Sequence, residues 1–473
     1  MYDFKDYFET ERRNKAYTVV AEETEDYLRL LDMMLERYLE HKGINKEDKL
    51  FSRGLLITES EMRSYFEMPP YLRDRDIWDP TLAAAVDEAF DYIEHRAELT
   101  KKDRQEAEPE LKALLKIDYL KELFDMDRAA VIALILCLAS ESDRRYSRIY
   151  GYIQDDVRNG EPTVGLLAAL LGRIDARLKG GSEPLVKGSF ARLFLNGIGG
   201  YGLDTPLTAD RNIREFLLDR SQSDGSPEPS CVYGEEKEVP PFFKSYDEEL
   251  ERALLSDTRG LIYVENSDPA TVDLIFSCIC NKTGETMFVL NVDKLAAFSV
   301  DRRRVYLNSL SVRLRLQAGI LCISYADNVR PEVRSELLTD IEDLVSSGSE
   351  KGMKSVALYG SENEPEELAV KRIPAFDIPA PDVDMRIAMW KFFLEEDGEF
   401  KPAEDVNIED IADCYEVPYG TIKTVCSLAK AEAGIIGKKS IDRAMITTSL
   451  KEIIHVNFQG LATPVRVAYT WED

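Results

Sequence analysis

Polar side chains follow two short apolar runs in the middle of the chain, where a nucleotide site would form. These residues are Glu265, Asn266, Ser267, Asp268, Thr271, Ser324, Tyr325 and Asp327. A phosphate-binding loop needs the pattern G-x-x-x-x-G-K-S/T, because glycine N–H groups and a lysine hold the phosphates while a hydroxyl holds Mg²⁺. The turn at 265–269 contains neither glycine nor lysine, and it carries two carboxylates. The sequence therefore indicates a degenerate nucleotide slot.

The carboxylate of Asp268 is placed to exclude a phosphate. Asp268 followed by Pro269 predicts the N-cap and the first residue of a helix. Two like charges about 4 Å apart repel by roughly 4 kcal/mol at an effective dielectric of 20. The second apolar run should end in an acidic pair that holds metal and water, but it ends in Ser324 and Tyr325. We therefore expect this chain to contribute no catalytic, cofactor-binding or metal-binding residues.

The elements that would position this slot alternate between strand and helix patterns. Apolar strand patterns occupy 260–264, 286–292, 319–324, 354–359 and 368–373. Helical patterns between them occupy 270–276, 301–316 and 332–346. Such alternation predicts an α/β domain with a P-loop-type parallel sheet, in which ligands bind at the carboxyl ends of the strands. Three further helical patterns follow, at 382–396, 408–415 and 419–432.

The amino-terminal half has helical patterns throughout. Thr58 with Glu61 and Thr163 are predicted helix caps, and 129–139 is an apolar core helix that is too short to cross a bilayer. The run 184–195 is followed by glycine-rich residues, and two short strands with a turn at 197–202 would make a wing. Helices with such a hairpin suggest a winged-helix-like unit, a fold that binds DNA or docks proteins.

The composition of the chain disfavours several classes of partner and site. The net charge of −28 disfavours binding to nucleic acid and to anionic membranes. Seven scattered cysteines and the lack of a signal pattern favour a reduced, cytoplasmic setting. Cys278 and Cys280 have no matching second ligand pair, so we expect no metal site there. The three histidines, His41, His95 and His455, are predicted to be surface residues.

Three segments carry a resemblance to a known family. They are YSRIYGYIQDD at 146–156, PTVGL at 162–166, and IPAFDIPAP at 373–381 followed by Arg386 and Trp390. Together they resemble bacterial AAA+ ATPases with an N-terminal winged-helix region, of the type found beside contractile, phage-tail-like injection systems. The resemblance implies ATP and Mg as cofactors in the family, and a homo-oligomer in the full-length protein. It also implies that this chain holds a degenerate first AAA+ module.

The resulting domain plan has six parts. They are a helical region at 1–110, a winged-helix-like domain at 111–220, a linker at 221–241, a degenerate AAA+ α/β domain at 242–380, its helical lid at 381–450, and a connection at 451–473. We expect that connection to lead into a further AAA+ module that hydrolyses ATP, so partners would be proteins or that module.

Three functions remain open at this point. The first is a catalytically silent scaffold or partner-binding module, possibly one used in assembling a contractile injection system. The second is ATP binding through an unorthodox site. The third is a winged-helix regulator that binds DNA.

Overall fold

The fold is taken from a computed structural model. It describes residues 7–41, 80–103, 112, 114–154, 156, 160–171, 189–195, 202–219, 240–255, 261–266, 268–317, 319–324, 335–341, 356–360, 374–395 and 398–457. Several sequence predictions lie outside these residues: the Thr58 cap, the first strand of the wing with the turn 197–201, the linker up to 239, the strand at 368–373 and the end of the chain from 458. The described chain divides into two compact units.

Unit 1 comprises Met1–Ser226, Phe298–Gln317 and Ser346–Gly352. Its helices before residue 226 are α1 (Val20–His41), α2 (Pro80–Asp103), α3 (Lys116–Leu123), α4 (Arg128–Ser142), α5 (Arg144–Ile153), α6 (Val164–Leu170), α7 (Ser189–Phe194) and α8 (Arg211–Leu217). Helix α4 is the central element, since every side chain from Ala129 to Ala139 is buried. Such an all-round apolar helix must be covered on every face.

Local capping sets where the helices of unit 1 begin. The carboxylate of Asp127 accepts the N–H of Ala130 at 2.8 Å, which starts α4 directly after a turn. The hydroxyl of Thr163 accepts the N–H of Leu166 at 3.2 Å, so the predicted cap of α6 is confirmed. These N–H groups would otherwise lack partners at a buried helix end.

The prediction of a strand in the wing is wrong for residues 189–194. Residues 189–194 form helix α7 instead of a strand. Phe190, Leu193 and Phe194 recur at helical spacing and are all buried, so one helical face satisfies the core. Strand-like pairing is found instead between Thr163 and Pro206, an isolated antiparallel bridge.

One of the helices between the second and third strands of the sheet belongs to unit 1. This helix, α12 (Val300–Gln317), lies where the sequence predicts a helix at 301–316. Its residues cluster with the amino-terminal helices, and Val312 and Leu316 are part of their hydrophobic core. The sequence analysis assigned this helix to the α/β domain.

Unit 2 contains a five-stranded sheet in which every pairing is parallel. Its strands are β1 (Leu261–Glu265), β2 (Met287–Asn291), β3 (Ile320–Ser324), β4 (Val356–Gly360) and β5 (Ala375–Asp377). Their order is β2-β3-β4-β1-β5. The α/β prediction is confirmed. Strand β4 overlaps the run predicted as a strand at 354–359, and β5, on the other side of β1, begins after Pro374.

Helices accompany the strands of unit 2. They are α9 (Lys244–Leu254) before β1, α10 (Pro269–Thr283) after β1, α11 (Val292–Ala296) after β2, and a helical segment at 335–341 before β4. Helix α10 packs across β2, β3 and β4. Its C-terminus is closed by Gly284, whose φ of 75° is the left-handed conformation that favours glycine.

A helical bundle follows β5 within unit 2. It consists of α13 (Val383–Glu395), α14 (Ile408–Cys414), α15 (Tyr419–Ile435) and α16 (Arg443–Asn457), with a small parallel pair β6 (Lys401–Pro402) and β7 (Ser440–Ile441). The three predicted lid helices correspond to α13–α15, whereas α16 was not anticipated. No helix in the described part of the chain is long and apolar enough to cross a membrane.

Candidate nucleotide slot

The carboxyl end of β1 is where the topology of the sheet would place a ligand. The connection from β1 to β2 passes β4 and β3, whereas the connection from β4 to β5 passes β1 in the opposite direction. In open parallel sheets ligands bind beyond the carboxyl ends of the strands where the strand order reverses, which in this sheet is the end of β1, next to β4 and β5.

Asn266, the residue directly after β1, forms hydrogen bonds to the ends of β4 and β5. Its backbone N–H donates to the carbonyl of Gly360 at 2.8 Å, and its side-chain Nδ2 donates to the carbonyl of Ile378 at 2.6 Å. Its Oδ1 accepts the N–H of Asp268 at 2.7 Å. Asn266 is buried, so these bonds satisfy polar groups that have lost water. The carboxyl ends of β1, β4 and β5 are therefore held together by one asparagine.

Asp268 occupies the N-cap position of α10, as predicted, but its side chain has a different partner. Within the described residues it accepts no backbone hydrogen bond from α10. Its Oδ2 accepts the hydroxyl of Thr271 at 2.8 Å and the backbone N–H of Gly420 at 2.8 Å. Gly420 is the second residue of α15, so the carboxylate of one helix start caps the start of another.

Glycine at position 420 is required by this close approach. A Cβ there would lie 2.8 Å from Oδ1 of Asp268 and 2.8 Å from Cβ of Ala270. Both neighbours stand in the first turn of α10 or just before it, where the backbone fixes them. The missing side chain therefore lets the N-termini of α10 and α15 converge on one carboxylate.

A second half-buried carboxylate, that of Asp273, lies further along α10. The hydroxyl of Tyr359 on β4 donates to Oδ1 of Asp273 at 2.8 Å. Burial raises the pKa of Asp273 above its ordinary value, and the nearby charge of Asp268 adds to that shift. The pKa of Tyr359 is likewise raised, first by burial and then by Asp273. This pair ties α10 to the sheet beneath it.

The remaining predicted slot residues are only partly described. Glu265 ends β1 with a half-buried side chain, and its carbonyl accepts the N–H of Ile378 at 3.0 Å. Ser324 ends β3, but its side chain is outside the described residues, as are Ser267, Tyr325 and Asp327. Among the residues described, no group of three His, Cys, Asp or Glu side chains could hold a metal ion.

The sequence predicts the carboxylate at the start of α10 but not the group that it binds. A helix at 419–432 is also predicted, yet nothing in the local sequence links Gly420 to Asp268. A glycine in the first turn of a helix was the available signal, since glycine there is often demanded by close approach. Lys423, the nearest basic residue in that helix, is exposed.

Comparison with known proteins bears on the amino-terminal part of the chain. Residues 9–226 match a family model described as a winged helix domain, variant. Among curated proteins, no sequence matches this chain. The match takes in helices α1–α8 and begins well before residue 111, where the winged-helix-like unit was predicted to start. The match supports the winged-helix prediction for this part of the chain.

Proposed function

We propose that unit 2 is a catalytically silent AAA+-type module, and that the chain acts as a scaffold or partner-binding part of a larger ATPase. The observation that carries the proposal is the 2.8 Å hydrogen bond from the N–H of Gly420 to Oδ2 of Asp268. The carboxylate lies at the N-termini of two helices at once, which is the position a helix N-terminus offers to a phosphate. The anion position is filled from within the chain.

ATP and Mg²⁺, the cofactors of the resembling family, do not fit the residues present. A phosphate would have to displace Asp268 from Gly420 and Thr271, or accept a repulsion of roughly 4 kcal/mol at about 4 Å. The turn offers no lysine in compensation. We therefore derive no hydrolytic step for this chain, and the module keeps its shape without nucleotide.

The architecture of unit 2 supports the AAA+ part of the proposal. A parallel sheet has its switch point at β1, and a helical bundle follows its last strand and contributes α15 to the slot. In such an arrangement a nucleotide would bind where sheet and bundle meet. Here a hydrogen bond between Asp268 and Gly420 joins the sheet to the helical bundle within unit 2, which suits a scaffold better than a motor.

Calorimetry tests the proposal directly. Titration of the full chain with ATP and Mg²⁺ should give a Kd weaker than about 1 mM. Asp268→Ala should gain affinity for ATP or inorganic phosphate, because the N–H of Gly420 is freed. Asp268→Asn, whose amide oxygen still accepts that N–H, serves as the matched control and should stay inert.

Two outcomes would contradict the proposal. Micromolar ATP binding by the unmodified chain, lost when residues 265–268 are changed, would restore an unorthodox ATP site. An Asp268→Ala protein that remains folded and still binds neither anion would show that the carboxylate is not what closes the slot.

The partners we propose are proteins, which the winged-helix region would recognise. The match over residues 9–226 also favours a second candidate, a regulator that binds DNA. The net charge of −28 opposes that candidate, because affinity for DNA comes largely from cations that neutralise phosphates. Binding to duplex DNA that weakens steeply with added salt would support the regulator and contradict the protein-docking role.

A further inference from the structure

Helix α12 completes a domain from which it is distant in sequence. The winged-helix match ends at residue 226, yet Phe298–Gln317 belong to the same compact unit as the matched helices. The chain leaves unit 1, builds the first two strands of the sheet in unit 2, and returns to unit 1 with α12. The matched region therefore presents a surface that a separate helix covers.

The apolar part of this contact is small and specific. Val312 and Leu316, four residues apart on α12, enter the hydrophobic core formed by the amino-terminal helices. Helix α12 packs against α7 and α8, and Phe194 and Ile213 on those helices are fully buried in the same core. A groove between the short helices α7 and α8 thus receives two aliphatic side chains.

Two cations each donate a hydrogen bond to a carbonyl at a helix C-terminus on the other side of this contact. The guanidinium of Arg315 on α12 donates to the carbonyl of Leu123, the last residue of α3, and lies 4.4 Å from the ring centroid of Phe124. In return, Nζ of Lys112 donates to the carbonyl of Leu316 at the end of α12, at 2.9 Å. Each cation satisfies a C-terminal carbonyl and meets the negative end of the helix dipole.

A polar contact fixes the register of α12. Nδ2 of Asn212 on α8 donates to the carbonyl and the hydroxyl oxygen of Ser309, at 3.1 and 3.0 Å. The side chain of Asp210, which caps α8, also hydrogen-bonds with Ser309. Because Arg315 is only 3% exposed, a shift of α12 by one turn would leave a buried guanidinium without its carbonyl.

We propose that the groove of the winged-helix unit formed by α7, α8 and the C-terminus of α3 is a helix-docking site, and that α12 is its occupant. The site recognises a helix with two aliphatic residues at i and i+4, an arginine beside the second, and a free C-terminal carbonyl for Lys112. The α/β part of the chain is thereby joined to the winged-helix unit by a docked helix as well as by the linker.

Cutting the linker in the full chain tests this proposal. A site-specific protease sequence is placed between residues 221 and 239, and the cut protein is run on a sizing column with light scattering. We expect both fragments to elute together, because α12 stays bound to unit 1. The combination Arg315→Ala with Leu316→Asp should separate the fragments. Arg302→Ala, an exposed arginine on the same helix, is the matched control and should leave them together.

A peptide spanning residues 298–318 provides a test that needs no folded variant. An excess of this peptide should release the carboxy-terminal fragment from the cut wild-type protein, whereas the same peptide with Arg315→Ala and Leu316→Asp should not. Separation of the wild-type fragments without peptide would overturn the proposal. So would a doubly substituted protein of unchanged circular dichroism whose cut fragments still elute together.

Discussion

At the scale of single residues, Asp268 combines the two roles that the sequence suggested separately. It stands at the N-cap of α10 and it fills the anion position, but the helix that it caps through its side chain is α15. Asp268→Ala should lower the free energy of unfolding by about 1–2 kcal/mol, because an N–H at a helix start loses its acceptor. The melting midpoint measures this, with Asp268→Asn as the milder control. An unchanged midpoint for Asp268→Ala would argue against the cap.

Two glycines of α15 make a matched pair for a test of close approach. Gly420→Ala should cost about 1–3 kcal/mol, because its Cβ would lie 2.8 Å from Asp268 Oδ1 and from Ala270 Cβ. At Gly434 the nearest atom to a new Cβ is 3.9 Å away. Gly434→Ala should therefore be neutral or stabilise by up to about 1 kcal/mol through helix propensity. Denaturant titrations compare them, and equal effects would contradict the close approach.

The hydrogen-bonded pair of the half-buried Asp273 and the buried Tyr359 predicts a dependence of stability on pH. Since burial raises the pKa of Asp273 above its ordinary 3.8, the folded state binds this proton more tightly than the unfolded state. The stabilisation from this group is fully present below the unfolded pKa and is lost as pH rises through the folded pKa. Asp273→Asn removes the titration and keeps an acceptor for Tyr359.

The melting midpoint of Asp273→Asn should therefore exceed that of the wild type at neutral pH, and the gain should shrink towards about pH 4. Asp413→Asn, at an exposed position on α14, is the control and should show no such trend. A gain that grows as pH falls would reverse the sign and reject the assignment.

At the scale of elements, unit 1 joins its first two helices through one buried cation. Arg96 on α2 donates to Oδ2 of Asp26 on α1 at 2.6 Å, with both side chains 3% exposed. It also donates to the carbonyl of Lys15 at 3.0 Å and lies 4.0 Å from the ring centroid of Tyr17. The segment before α1, α1 itself and α2 therefore share a single guanidinium.

Replacing Arg96 should be severe, because Asp26 would be left as a buried carboxylate without its closest cation. Arg96→Met should destabilise the protein by roughly 3–5 kcal/mol. Arg12→Ala, which breaks an exposed pair with Glu9, should cost about 0–1 kcal/mol. Thermal unfolding followed by circular dichroism separates the two. Similar losses from both variants would mean that the Arg96 cluster is not a structural clamp.

At the scale of the whole molecule, proteolysis tests whether the amino-terminal and carboxy-terminal pieces stay associated once the linker between them is cut. Residues 221–239 are rich in serine, proline and charge and poor in apolar residues, so limited proteolysis should cut there first. The sequence alone predicts that the two pieces then part. With α12 seated in unit 1, we expect them to remain together until α12 is displaced. First cuts within α12 or the sheet, seen by mass spectrometry, would contradict both domain boundary and docking.

Much of the fold is determined by local sequence patterns. The alternation of short apolar runs with helical periods predicts the parallel sheet, because each strand or helix must present its own apolar residues to the core. The caps at Asp127 and Thr163 follow from residues three positions apart. The absent lysine and glycines, and the carboxylate in their place, can be read directly from residues 265–269.

What only the tertiary structure decides are contacts between residues far apart in the chain. Gly420 and Asp268 are separated by 152 positions, and neither residue alone indicates the other. Helix α12 has aliphatic and arginine side chains that suit either unit, and only packing against α3, α7 and α8 assigns it to the winged-helix unit. Residues 189–194 likewise have a pattern compatible with strand, until the burial of Phe190, Leu193 and Phe194 selects a helix. Local spacing fixes which elements can form, whereas complementary surfaces formed by distant segments determine where each of them packs.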